Sequence, residues 1–130
     1  MDQTRETNAA PPPHSVVALQ GKSGEIYGFT AFPLTAPPPA AGIYMIARPA
    51  EPADRARLYW TPLYIGEASD LCAEIDALVD RLTHARKLGA THILVRFCDR
   101  GAEVRLQQVE DLVAVVEPTL NKLERANEAA

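Results

Sequence analysis

A small α/β (α+β) domain is the fold class the sequence predicts, with short strands and two helices sharing one core, and three observations predict it. Two β-rich runs, residues 15–20 and 25–32, flank Gly21-Lys22-Ser23-Gly24, the pattern of an N-terminal β-hairpin with a four-residue turn. Two short apolar runs, Gly42-Ile43-Tyr44-Met45-Ile46 and Leu63-Tyr64-Ile65, are bounded by Pro, Ala and Gly, as buried strands are. Between them and a further strand, Leu71, Ile75, Leu78 and Leu82 recur at i, i+4, i+7 and i+11, which is helical spacing.

The chain has 130 residues, 47% of them apolar, which is material for one hydrophobic core and one domain. No run approaches the roughly 18 uninterrupted apolar residues of a membrane span. Residues 1–10 are polar and carry no apolar signal segment, so the expectation is a cytoplasmic protein that does not enter a membrane. Cys72 and Cys98 fall in a predicted helix and a predicted strand without metal-ligand spacing, and read as two reduced, half-buried thiols.

The formal charge is −4, so the chain has no global electrostatic footprint for nucleic acid, whose phosphates are gripped by Lys and Arg. Arg81, Arg86, Lys87, Arg96, Arg100 and Arg105 still place six positive charges between residues 81 and 105. They read first as charges that complement a helix C-terminus or solvate a surface, and second as a local patch for nucleic acid.

In chain order, residues 1–14 are polar, end in Pro11-Pro12-Pro13 and are expected to form a disordered tail; residues 15–123 form the domain. The Gly-Lys-Ser of the hairpin turn is not a P-loop, because Val16 stands where that motif needs its first glycine and no helix follows. After the proline segment 33–39 comes the strand 41–47, then a polar loop over 48–60, then the strand 63–65 stopped by Gly66. Ser69 or Asp70 is placed to cap a helix over 70–88, with acids in its first half, His84, Arg86 and Lys87 in its last turn, and Gly89 beyond its end. Residues 91–98 are β-branched and apolar and predict a strand closed by Asp99-Arg100-Gly101. A last helix over 102–117 carries Val109, Leu112, Val113 and Val116 on one stripe and stops before Pro118; residues 124–130 are expected to fray.

Gly42-Ile43-Tyr44 followed twenty residues on by Tyr64-Ile65-Gly66 resembles the name-giving motif of the GIY-YIG nucleases. Glu67-Ala68-Ser69-Asp70-Leu71 at the helix opening, Gly89-Ala90-Thr91-His92, and the ending from Asp111 through Pro118 to Asn121 resemble a bacterial branch of that family. The resemblance implies a small, mostly antiparallel central sheet flanked by helices. It also implies metal-assisted hydrolysis of a DNA phosphodiester: paired tyrosines help activate water, an arginine on the first helix offsets the charge developing on phosphate, and a glutamate on the last helix holds Mg²⁺.

On that resemblance Tyr44 and Tyr64 match the motif tyrosines, Gly66 the glycine after the second, and Asn121 the late asparagine. As ordinary residues they read as core aromatics at strand ends and a turn or cap residue. The arginine position, ten residues after Tyr64, holds Glu74, a carboxylate that repels phosphate. Arg81 is the nearest substitute, though roughly 10 Å of helix rise separates it from that position. The metal-binding position, nine residues before Pro118 and twelve before Asn121, holds Val109, which belongs to the apolar stripe. Glu110 is the adjacent candidate ligand, turned about 100° around the helix; Glu67 is a second. His14, His84 and His92 share no ligand spacing. The expectation is a GIY-YIG-like domain with impaired catalysis acting as a binding module for a protein partner or DNA; the alternative is an active Mg²⁺-dependent endonuclease using Tyr44 and Tyr64.

Overall fold

The computed structural model describes residues 16–50 and 60–123. The expected tail (1–14), most of the expected 48–60 loop and the frayed end (124–130) lie outside them. Five strands, β1 (Val16–Gln20), β2 (Ile26–Pro33), β3 (Gly42–Pro49), β4 (Trp60–Ala68) and β5 (His92–Phe97), form one sheet in the order β1-β2-β5-β3-β4. Every neighbouring pair is antiparallel. The helices are α1 (Leu71–Ala77), α2 (Val79–Lys87) and α3 (Ala102–Val116), followed by a helical turn over 119–123. The predicted mixed α/β class holds.

β3 is an inner strand between β5 and β4, and its residues 42–47 are all buried. Because side chains alternate across a strand, its even and odd positions feed two separate cores. Ile43, Met45 and Ala47 pack with Phe29, Ile65 and Leu94 under Val109, Leu112 and Val113 of α3. Tyr44 and Ile46 pack with Tyr64, Ile93 and Val95 under Leu71, Ile75, Leu82 and Ala85 of α1 and α2. Gly42 is required by this crowding, since a Cβ there would stand 2.4 Å from the Arg96 carbonyl oxygen of β5.

The strands on either side of the expected polar loop run longer than the apolar pattern indicated, β3 to Pro49 and β4 from Trp60. A register shift explains why β4 is hard to read: Ile46 pairs with Tyr64 but Ala47 with Pro62, leaving Leu63 as an extra residue. The bulge reverses the alternation, so that Trp60 and Ile65 both reach the α3 core, and it seats Pro62 where the ladder is already interrupted.

The single helix expected over 70–88 is two. Asp70 caps the first, accepting from the backbone N–H groups of Cys72 and Ala73. At Leu78 (φ −92°, ψ 42°) the backbone leaves helical geometry, and its N–H bonds to the Ile75 carbonyl. Leu71 and Ile75 before the break and Leu82 and Ala85 after it all bury into the same core, so the kink keeps both apolar stripes on a twisted sheet. α3 ends as expected, on left-handed Glu117 before Pro118.

Candidate functional site

The two motif tyrosines come together. Tyr44 on β3 and Tyr64 on β4 point to the α1/α2 side with ring centroids 6.0 Å apart. Gly66 pairs directly with Tyr44 across the β3–β4 ladder, and the Tyr44 ring lies over it. A Cβ at Gly66 would meet the Tyr44 hydroxyl oxygen at 2.7 Å and Cζ at 2.8 Å, so the glycine makes room for the aromatic ring.

The Tyr44 hydroxyl donates to Glu74 Oε2 at 2.8 Å. Tyr44 has no exposed surface, and its phenol is pushed well above its ordinary pKa, chiefly by burial, then by Tyr64 and the Glu74 carboxylate. At neutral pH Tyr44 is therefore a proton donor with its acceptor already in place. Arg81, expected to be too distant, reaches Tyr64: its Nη1 donates to the Tyr64 hydroxyl at 3.3 Å and its guanidinium lies 4.6 Å from the Tyr64 ring centroid. Arg81 thus sits on the second tyrosine, beyond the kink, while Glu74 holds the first.

These groups border a cleft of about 450 Å³ at the β4 edge of the sheet, lined by Tyr44, Tyr64, Gly66, Glu74, Val109 and Glu110, with Glu67 and Asn121 at its wall. Val109 faces the core, as its apolar stripe indicated. Glu110, expected to turn away, reaches the same cleft from the exposed flank of α3. Glu67 is committed elsewhere: Arg105 Nε donates to its Oε1 at 2.8 Å, and Arg105 Nη1 to the Cys98 carbonyl at 3.3 Å. Arg105 is buried, which removes it from the expected surface patch. Arg96 also turns inward, donating from Nε to Gln108 Oε1 at 3.0 Å with its guanidinium 5.2 Å from the Tyr27 ring centroid.

Asn121 is buried and acts as a piece of strand. Its Oδ1 accepts from the Ile65 N–H at 2.8 Å and its Nδ2 donates to the Ile65 carbonyl at 2.9 Å. The side-chain amide thereby satisfies both backbone groups of an edge-strand residue. This geometry gives Asn121 a structural task at the wall of the cleft.

Mg²⁺ takes one or two carboxylates in near-octahedral geometry. Glu110 is the one cleft carboxylate that neither accepts from Tyr44 nor pairs with Arg105. Among the described residues no three His, Cys, Asp or Glu side chains gather as a metal site. Of the donors such an ion takes, the cleft thus offers a single carboxylate outside those two contacts, Glu110. His92 is engaged with Thr91 Oγ1 at 2.7 Å and stacks 4.5 Å from the Trp60 ring, while His14 lies outside the described residues. Cys72 and Cys98 are both free thiols.

A second polar cluster escaped the sequence reading. Asp111 on α3 accepts from Ser23 N–H (2.8 Å), Ser23 Oγ (2.7 Å) and the Tyr27 hydroxyl (2.8 Å), and the Lys22 N–H donates to its carbonyl at 3.0 Å. These bonds hold its carboxyl below the usual carboxylate range, the Ser23 hydroxyl contributing most. Tyr27 is pushed up to about 12, by burial first and Asp111 second. The Gly-Lys-Ser turn that resembles a phosphate loop thus spends its N–H groups within its own chain, Ser23 on the Asp111 carboxylate, Lys22 on the Asp111 backbone carbonyl and Gly21 on the Glu25 carbonyl.

Among the described residues no helix is long and apolar enough to cross a membrane. Compared with protein-family models, with curated proteins and with solved structures, the chain matches none.

Proposed function

We propose that this chain is a GIY-YIG-like domain that has lost phosphodiester hydrolysis and uses the Tyr44–Tyr64 cleft as a binding module for a protein partner that presents a basic side chain. The observation that carries the reading is the Glu74 carboxylate at the Tyr44 hydroxyl. Hydrolysis of an anionic phosphodiester needs cationic groups around the reacting phosphorus. A carboxylate about 4 Å from a phosphate oxygen costs about 4 kcal/mol at an effective dielectric of about 20. That is roughly three powers of ten in rate, before counting the loss of an arginine.

The same charge favours the opposite ligand. Glu67, Glu74 and Glu110 line the cleft, and no Lys or Arg lines it among the described residues. Glu67 is neutralised by Arg105 behind it, so Glu74 and Glu110 are left to pair with an incoming lysine or arginine. The acidic net charge points the same way, toward a protein partner over DNA.

The experiment is incubation of the purified chain with supercoiled and branched DNA in Mg²⁺ and in Mn²⁺, beside Tyr64→Phe. No cleavage by either protein is expected. Cleavage by the parent chain that disappears in Tyr64→Phe overturns the reading. In parallel, DNA binding is expected to be weak and flat between low and physiological salt.

Arg81 on the Tyr64 hydroxyl and Glu110 at the cleft favour the second reading, an active Mg²⁺-dependent endonuclease with an arginine displaced along the helix. That reading requires Arg81→Ala to abolish cutting. The restoring pair Glu74→Arg with Val109→Glu separates the two: a gain of metal-dependent cutting marks these positions as the ones that were lost.

A further inference from the structure

We propose that the partner enters the cleft as an extended peptide, paired through its backbone with Glu67 at the open edge of β4 and carrying two adjacent basic residues, one for Glu110 and one for Glu74. The inference rests on the binding reading above and names the form in which the basic partner is presented.

β4 is last in the strand order, so one of its edges has no neighbouring strand. The backbone groups of an antiparallel strand point to its two edges in alternation, so residues two apart point the same way. Those of Ile65 point outward, where the Asn121 amide takes them as a neighbouring strand would. Pairing with β3 is regular from Tyr64 to Ala68, so the N–H and C=O of Glu67 point outward as well. Asn121 seals the edge at Ile65 and stops there. Among the described residues nothing takes the outward backbone pair of Glu67. Gly66, Glu67 and Asn121 all line the cleft, so its free space lies against this open seat.

The side chains on either side of the edge select the peptide. α1 packs on one face of the sheet and α3 on the other, so the two cleft carboxylates, Glu74 and Glu110, flank the β4 edge from opposite faces. Glu74 meets Tyr44, whose ring lies over Gly66. Glu110 lies one turn beyond Leu106 on α3, which lines the same cleft and is 49% exposed. Successive side chains of an extended chain point to opposite faces. In an antiparallel pairing, the peptide residue opposite Glu67 therefore aims at α3, lays its apolar stem on Leu106 and brings its charge to Glu110. The next residue, opposite Gly66, aims at Glu74. A third would meet the Asn121 amide, so the peptide leaves the edge after the second cation. A helical ligand uses its backbone groups internally and has none to offer Glu67. Two backbone bonds and two ion pairs open to solvent make a weak complex that salt loosens further.

Fluorescence polarisation with the full chain tests this on capped, labelled peptides in which threonine and valine flank two adjacent arginines. Binding is expected, with new hydrogen-exchange protection at the Glu67 amide. Methylating the backbone nitrogen of the first arginine, which faces Glu67, is expected to lower affinity about tenfold, the worth of one hydrogen bond. Methylating that of the second, which faces away from β4, is expected to leave affinity within about threefold. Separating the arginines by one valine sends both charges to one face and is expected to cost about tenfold, as are Glu74→Gln and Glu110→Gln in the protein. Equal affinity for the two methylated peptides, or for adjacent and separated arginines, overturns the strand pairing and leaves a basic ligand in the cleft. A chain that binds none of these peptides, or binds them as tightly in Glu74→Gln and Glu110→Gln, overturns the basic-partner reading and this inference with it.

Discussion

Tyr44 and Glu74 lie thirty residues apart in the chain and 2.8 Å apart in space, a buried phenol donating to a carboxylate at the floor of the cleft. Remove the carboxylate and the phenol loses its acceptor, which costs about 1–3 kcal/mol for a buried donor. Glu74→Ala is expected to lower stability by that amount in urea denaturation. Glu74→Gln keeps an acceptor and is expected to lose less than half as much. In a spectrophotometric titration Glu74→Arg should bring the Tyr44 phenol down from its raised position, because a carboxylate that favours the neutral phenol is exchanged for a cation that favours phenolate. An unchanged tyrosine titration would show that the carboxylate has no hold on the proton.

Gly66→Ala tests the packing of the same ring. The added methyl has no space beneath Tyr44, so either the ring or β4 moves. Overpacking of this kind costs about 1–3 kcal/mol. The chemical shifts of both tyrosine rings should move with it, since their centroids are 6.0 Å apart.

Asn121→Leu removes the strand-like amide and leaves the Ile65 N–H and C=O without their partner, at a cost of about 2–4 kcal/mol for the two groups. Asn121→Asp keeps the acceptor for the Ile65 N–H but sets an anion against the Ile65 carbonyl, and is expected to be no better. Hydrogen exchange at the Ile65 amide reads the loss directly. Protection unchanged in Asn121→Leu would rule out the edge-sealing role.

Arg105 and Glu67 form an ion pair with side-chain exposures of 6% and 26%. Arg105→Met strands Glu67 at the cleft, and because Glu67 keeps some solvent the expected loss is near the lower end of the 3–5 kcal/mol range for broken buried pairs. The double change Arg105→Met with Glu67→Gln removes the orphaned charge and is expected to recover at least half of that loss.

The Asp111 latch gives a pH dependence whose sign follows from its depressed pKa. The carboxylate form is favoured in the folded chain, so its contribution is present above the unfolded-state value near pH 4 and is lost as pH falls through the folded-state value. Resonances of Ser23 and Tyr27 are expected to shift together below about pH 4. In Asp111→Asn this transition disappears. A hairpin turn whose resonances ignore that range in the parent chain would disprove the latch.

Much of the fold was legible because strand and helix periods are local. The alternation of β2, the stripe of α3, the Asp70 cap and the Gly89 stop each depend on residues within a few positions of one another. The kink at Leu78 was not legible, because Leu71, Ile75, Leu78 and Leu82 fit one continuous helix and only the twisted surface beneath requires two. The β4 bulge hid for a similar reason: Trp60 and Ile65 have opposite parity, and only pairing with β3 brings them to one face.

The site divides along the same line. By itself the sequence determined which residue types stand at the motif positions: two tyrosines, a glycine, a glutamate at 74 and a valine at 109. The tertiary structure decided what each touches. It gave Glu74 to Tyr44, Arg81 to Tyr64, Arg105 to Glu67, Asn121 to the edge of β4 and Asp111 to a turn eighty-eight residues away. Those pairings follow from β5 inserting between β2 and β3 and from α3 packing across the sheet. Such long-range contacts are fixed by how buried faces fit together, and no spacing along the chain encodes them.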